Sequence, residues 1–94
     1  MKILAIEIEN EGIEWQQAAG ILQAEAMQVY QLYLADCIRE IYFNEHKNAV
    51  LILECESKVT AQELLNTLPL VQKGMIRFEL SELRPYDGFR RIMQ

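Results

Sequence analysis

Residues Lys2 to Glu9 carry apolar side chains at both parities: Leu4, Ile6 and Ile8 on one face of an extended segment, Ile3 and Ala5 on the other. A strand that is apolar on both sides must be covered on both. This requirement limits the chain to layered architectures, because a sheet with one bare, apolar face is not a stable end point.

The rest of the chain supplies cover for one face only. After the break at Asn10-Glu11-Gly12, the residues Trp15, Ala18, Ala19, Leu22, Ala26, Val29, Tyr30 and Tyr33 recur at helical spacing, with Gln16, Gln17, Gln23 and Gln31 opposite. This predicts an amphipathic helix over Glu14 to Ala35, with Gly20 as a weak point or a close helix contact. Ile38 to Asn44 and Ala49 to Glu56 are rich in β-branched, aromatic and Leu residues and flank the polar stretch Glu45-His46-Lys47-Asn48. They read as a β-hairpin. Thr60-Ala61-Gln62-Glu63 matches a capping box, Ala61, Leu64, Leu65 and Leu68 form an apolar stripe, and Pro69 is the expected stop of this short helix. Gly74 opens a last strand, Met75 to Leu83, and residues 84–94 form a turn-rich extension with two aromatics, expected to lie against the domain or its partner.

The order strand, helix, strand, strand, helix, strand predicts an α+β fold of the ferredoxin-like βαββαβ plan. Right-handed crossovers then give a four-stranded antiparallel sheet with two helices on one face. With 94 residues there is room for one domain, spanning 1–94 with 84–94 as its C-terminal extension. A chain this short buries roughly 60–70% of its unfolded surface, yet 51% of its residues are hydrophobic. A second copy is the expected cover for the bare face, two sheets packing as a dimeric α+β barrel.

Fourteen acidic residues against nine basic ones, with no basic run among aromatics, argue against nucleic acid as a partner. No stretch approaches a membrane span, and the apolar start is too short for a signal peptide. Cys37 and Cys55 have apolar neighbours and no metal-like spacing, so both are expected to be reduced packing residues of a cytoplasmic protein. The lone His46 lies in the hairpin loop, far from any second ligand in sequence, and no metal is expected. The four glycines are scattered, so no phosphate-cradling loop is present.

The pattern Leu32-Tyr33-x-x-x-x-Ile38-Arg39-Glu40-Ile41-Tyr42-Phe43, then Leu68-Pro69-Leu70-Val71, then Ile76-x-Phe78-Glu79, resembles muconolactone isomerase-like proteins. The Leu68-Pro69-Leu70 block and the tail Arg84-Pro85-Tyr86-x-Gly88-Phe89 carry the resemblance most strongly. It implies a homodimer that builds into larger rings, and a cofactor-free proton shift on a small lactone or related oxygenated ring. Asp36 stands where such relatives usually place Gly after the first helix, so a left-handed turn is expected there.

The strands carry more carboxylates than a sheet buried on both sides comfortably holds, notably Glu7, Glu40, Glu54 and Glu79, and burying one unpaired is costly. If Glu40, Tyr42 and Glu54 share the helix-facing side of the hairpin, they surround a small cavity, where a desolvated Glu can move a proton next to a carbonyl. These three are the expected catalytic residues, with Arg39, Arg77, Glu79 and Tyr33 as substrate-binding candidates. Arg39 and Glu40 fall on opposite faces unless a bulge intervenes. Trp15, Tyr30 and Tyr33 either line an aromatic-accepting pocket or belong to the core. Two rival readings are a non-catalytic binding or assembly module, whose polar residues pair at an interface, and a cofactor-independent monooxygenase. The latter leans on a pocket Trp/His/Asn set, whereas this chain has one Trp and a loop His, which ranks it lower.

Overall fold

A computed structural model describes residues 1–93. β1 (Lys2–Glu9) leads through a short 3-10 turn (Trp15–Gln17) into α1 (Ala19–Leu34), followed by the hairpin β2 (Ile38–Phe43) and β3 (Ala49–Glu54). Then come α2 (Lys58–Leu65), α3 (Pro69–Gln72) and β4 (Ile76–Leu83), and a final 3-10 turn over Gly88–Ile92. The strands form one antiparallel sheet in the order β2-β3-β1-β4. This is the ferredoxin-like α+β fold expected from the element order. Among the described residues no helix is long and apolar enough to cross a membrane.

Alternation along the strands divides the sheet into two unlike faces. Ile3 pairs with Leu53 and Ala5 with Leu51 and Leu80, and Ile3, Ala5, Leu51 and Leu53 are each at most 2% exposed. Leu32 of α1, Ala61 and Leu65 of α2, and Leu68 and Leu70 around α3 complete this core. The opposite parity, Leu4, Ile6, Ile8, Val50 and Ile52, is only half-buried, and among the described residues no helix packs across it. The bare apolar face inferred from β1 is therefore present.

Local chemistry places the connections, and it differs in detail from the sequence expectations. Ser57, rather than Thr60, is the N-cap of α2: its Oγ accepts the Thr60 N–H at 3.1 Å. Pro69 is not the stop of α2, which ends at Leu65 with Asn66 as its C-cap; it occupies the first turn of α3, where its missing N–H costs nothing. The long helix begins at Ala19, because the 3-10 turn holding Trp15 takes the preceding residues. A Cβ at Gly20 would meet nothing within 4 Å, so that glycine marks no helix contact. Asp36 adopts the left-handed conformation (φ 63°) that turns the chain from α1 into β2. In the hairpin loop Asn44 Oδ1 accepts the N–H groups of His46 and Asn48, both at 3.0 Å, while Lys47 takes a φ of 61°.

The extension does not fold back onto its own domain. Tyr86, Phe89, Ile92 and Met93 are 63–78% exposed, and the molecule is 60 Å long against 26 and 20 Å in its other dimensions. Tyr86 and Phe89 pack edge to face with ring centres 5.0 Å apart. Tyr86 lies over Gly88 so closely that a Cβ there would collide with its ring, which explains a glycine at this position.

Candidate active site

Between α1 and the helix-facing side of the sheet lies a cavity of about 530 Å³. Its walls are largely apolar and aromatic, with Trp15, Tyr30 and Tyr33 from the helical side and Phe43, Leu51 and Phe78 from the sheet. The charged groups on it are Glu7, Glu9, Glu25 and Lys47.

Glu7 projects from β1 on the same parity as Ile3 and Ala5, and is 9% exposed. Its Oε1 accepts the N–H of Ala49 at 2.7 Å, satisfying the first residue of β3. Burial raises its pKa above the usual carboxylate range; the Ala49 hydrogen bond opposes this and the nearby Glu9 charge adds to it. Glu25 comes from α1, three residues after Leu22 and four before Val29, inside the helix's apolar stripe. Its Oε1 accepts the Leu70 N–H at 2.9 Å, tying α1 to the start of α3. Burial raises its pKa as well, opposed by the Leu70 hydrogen bond and reinforced by the charge of Glu7. Strand and helix thus bring together two carboxyl groups whose pKa values are both raised by burial, with the charge of Glu7 adding to the rise at Glu25.

The linkage to stability has a definite sign. For both groups the folded-state pKa lies above the unfolded value, so protonation favours the folded chain. That stabilisation is complete below the ordinary carboxylate pKa and is lost as pH rises through the raised values. Thermal unfolding should therefore occur at higher temperature on acidification from neutral pH into this window. The Glu7→Gln, Glu25→Gln double variant should flatten the profile, and an unchanged slope in that variant would refute the assignment.

The residues expected from sequence to form the site are distributed differently. Glu40, Tyr42 and Glu54 do share a face, but it is the open one: Glu40 pairs with Ile52 and Tyr42 with Val50, and Glu54 sits opposite Lys2. Their placement on the helix-facing side is therefore corrected by the strand register. Tyr42 borders the cavity, yet its hydroxyl donates to Glu40 Oε1 at 2.8 Å, and that hydrogen bond raises the phenol pKa. Glu54 lies 3.1 Å from the Met1 ammonium, whose hydrogen bond holds its pKa low. A bulge between Ile38 and Glu40 breaks the alternation that would have separated Arg39 from Glu40. The Arg39 Nε donates to the Asp36 carbonyl at 2.9 Å. Arg77 and Glu79 also lie on the open face, opposite Ile8 and Ile6, and Arg77 donates to Asn10 Oδ1 at 2.7 Å. Of the substrate-binding candidates only Tyr33 lines the cavity.

Glu7 was recognisable as a strand carboxylate but was passed over in favour of the hairpin pair. Glu25 was missed. The signal for both was in the sequence: a charge on the buried parity of β1, and a charge inside the apolar stripe of α1. Among the described residues no three metal-ligating side chains cluster.

Neither a protein-family model nor a curated protein sequence matches the chain. Among solved structures it is similar to 5-chloro-2-hydroxyhydroquinone dehydrochlorinase from Burkholderia phenoliruptrix, in complex with 2,5-dihydroxybenzoquinone. The two share 14% sequence identity with a TM-score of 0.70, over 94% of this chain and 98% of that one. The likeness is one of fold.

Proposed function

We propose that this chain is a small-molecule-binding α+β barrel protein, completed by a second copy, that shifts a proton on a small oxygenated ring. The observation that carries this reading is the pair of raised-pKa carboxyl groups, Glu7 and Glu25, on the walls of an otherwise apolar and aromatic cavity. Proximity between two such groups favours the state in which one is ionised and the other holds the proton. In this reading Glu25, whose pKa the charge of Glu7 raises, serves as the acid and Glu7 as the base.

The step balances without any redox partner. Glu7 carboxylate removes a proton from the carbon next to a ring carbonyl, and the electron pair moves into the carbonyl to give an enolate whose oxygen Glu25 stabilises by donating its proton. Protonated Glu7 then delivers its proton to the far carbon of the conjugated system as the enol proton returns to Glu25, so the double bond has shifted and both carboxyl groups are restored. General acid–base groups work best with a pKa near the operating pH, and burial moves both carboxyl groups in that direction, up from the ordinary glutamate value. That a structural neighbour of the same fold is solved with a small dihydroxylated quinone supports an oxygenated ring as the kind of ligand.

The second copy belongs to this reading. The open face has an apolar centre, Leu4, Ile6, Ile8, Val50 and Ile52, framed by Glu40, Glu54 and Glu79 on one hand and Lys2 and Arg77 on the other. Facing sheets would bury the centre and set opposite charges around its rim, which gives Glu40 and Glu54 an interfacial role instead of a catalytic one. The exposed C-terminal extension carries three arginines and one Asp in a chain of net charge −5, so it is basic while the domain it leaves is acidic. Its charge suits it to a neighbouring copy. The function is tested by following conversion of α-angelica lactone to its conjugated isomer in heavy water by proton NMR: the protein should accelerate both isomerisation and deuterium entry, and no acceleration over buffer would reject the proposal.

A further inference from the structure

Resting on that reading, we infer that the cavity selects an uncharged ring carrying a hydroxyl and a second oxygen, and turns away the same ring bearing a carboxylate. Three of the four charged groups on the cavity are acidic, and the one cation, Lys47, stands in the exposed hairpin loop. The guanidinium groups that would hold a substrate carboxylate in a two-pronged grip are elsewhere: Arg39 is bonded to the Asp36 carbonyl and Arg77 to Asn10, and neither borders the cavity. A carboxylate entering between Trp15, Tyr30 and Phe78 would lose its hydration and gain like-charged neighbours.

A hydroxyl finds the reverse. Glu7 and Glu25 each commit Oε1 to a backbone N–H, of Ala49 and Leu70, and no other hydrogen bond is made by either side chain among the described residues. No buried side-chain oxygen or nitrogen among those residues lacks a partner, so the second oxygen of each carboxyl is not sealed off, and both residues line the cavity. The ionised group accepts a ligand O–H, and the protonated one donates to a ligand oxygen. Two oxygens on one ring therefore meet two complementary groups, one anchored on the strand and one on the helix. Aromatic side chains supply the flat walls a planar ring needs.

A matched trio of probes separates the possibilities: resorcinol, 3,5-dihydroxybenzoate and 3,5-dihydroxybenzylammonium, each titrated into the full chain at neutral pH and followed by amide shifts in heteronuclear NMR. Resorcinol should shift amides around Glu7, Glu25, Tyr33 and Ala49. The benzoate should bind at least tenfold more weakly, and Glu25→Gln should narrow that gap. Equal or tighter binding of the benzoate overturns the inference while leaving the proton-shift reading in place. Binding of the ammonium more than tenfold tighter than resorcinol also overturns it, making the cavity a cation site. If none of the three shifts the cavity amides, the proposed function fails together with the inference.

Discussion

Replacing Glu7 by Gln is expected to slow isomerisation and deuterium entry by about 10²–10⁴-fold, the usual worth of a positioned acid or base, while the fold survives. Gln keeps the shape of the side chain and an oxygen for the Ala49 N–H, so the start of β3 remains satisfied. What disappears is the proton acceptor. The same change removes a carboxylate that burial disfavours, so the variant should unfold at a higher temperature than the natural chain at neutral pH. Loss of activity combined with a gain in stability is the signature of a group retained for chemistry, and it is a different outcome from that of a core residue. Glu40→Gln, on the open face, should leave the rate unchanged. If Glu40→Gln were the damaging substitution and Glu7→Gln the silent one, the site would lie on the other side of the sheet.

The second large effect concerns the open face. Ile6 sits at its centre, beside Val50 on β3 and Glu79 on β4. Ile6→Asp places an unpaired carboxylate where facing sheets would meet, at a cost of about 3–5 kcal/mol for a buried charge without a partner. Each 1.4 kcal/mol is tenfold in affinity, so self-association should weaken by at least about 100-fold. Because Ile6 is only half-buried within a single chain, the substitution is tolerated by the fold itself. Sedimentation across a concentration series reads the outcome directly. A natural chain that sediments as a monomer at high micromolar concentration would contradict self-pairing, as would an Ile6→Asp variant that associates as strongly as its parent.

The order of elements was legible because each rests on a local signal. The two-sided apolar pattern of β1 gave both the buried core and the bare face, since alternation alone assigns Ile3 and Ala5 to one side and Leu4, Ile6 and Ile8 to the other. Asp36 could be placed in a left-handed turn because it stands where the resembled family usually has Gly, and Asp is among the few residue types that tolerate that conformation. What could not be read was which side of the hairpin faces the helices. Parity fixes only that Glu40, Tyr42 and Glu54 can lie together; the pairing of Glu40 with Ile52, across a bulge at Arg39, puts them on the open face. A bulge of one residue reverses the parity of what precedes it, and nothing in the run Ile38-Arg39-Glu40 announces one. The cap of α2 was misplaced for a similar reason, as Ser57 and Thr60 are both good caps and tertiary position chose between them. Glu25 illustrates the limit on sites: its partner Leu70 is 45 residues away, so the spacing along α1 marks an unusual charge but not the group that holds it.

Whether the proton-holding groups are the cavity pair is measured most directly by a carbon-13 NMR titration of the glutamate side-chain carboxyls. Glu7 and Glu25 should both titrate above the ordinary glutamate range, and Glu7→Gln should lower the midpoint of Glu25, because a neighbouring negative charge has been removed. Midpoints for both within the range of exposed glutamates, with Glu25 unmoved by the substitution, would contradict it.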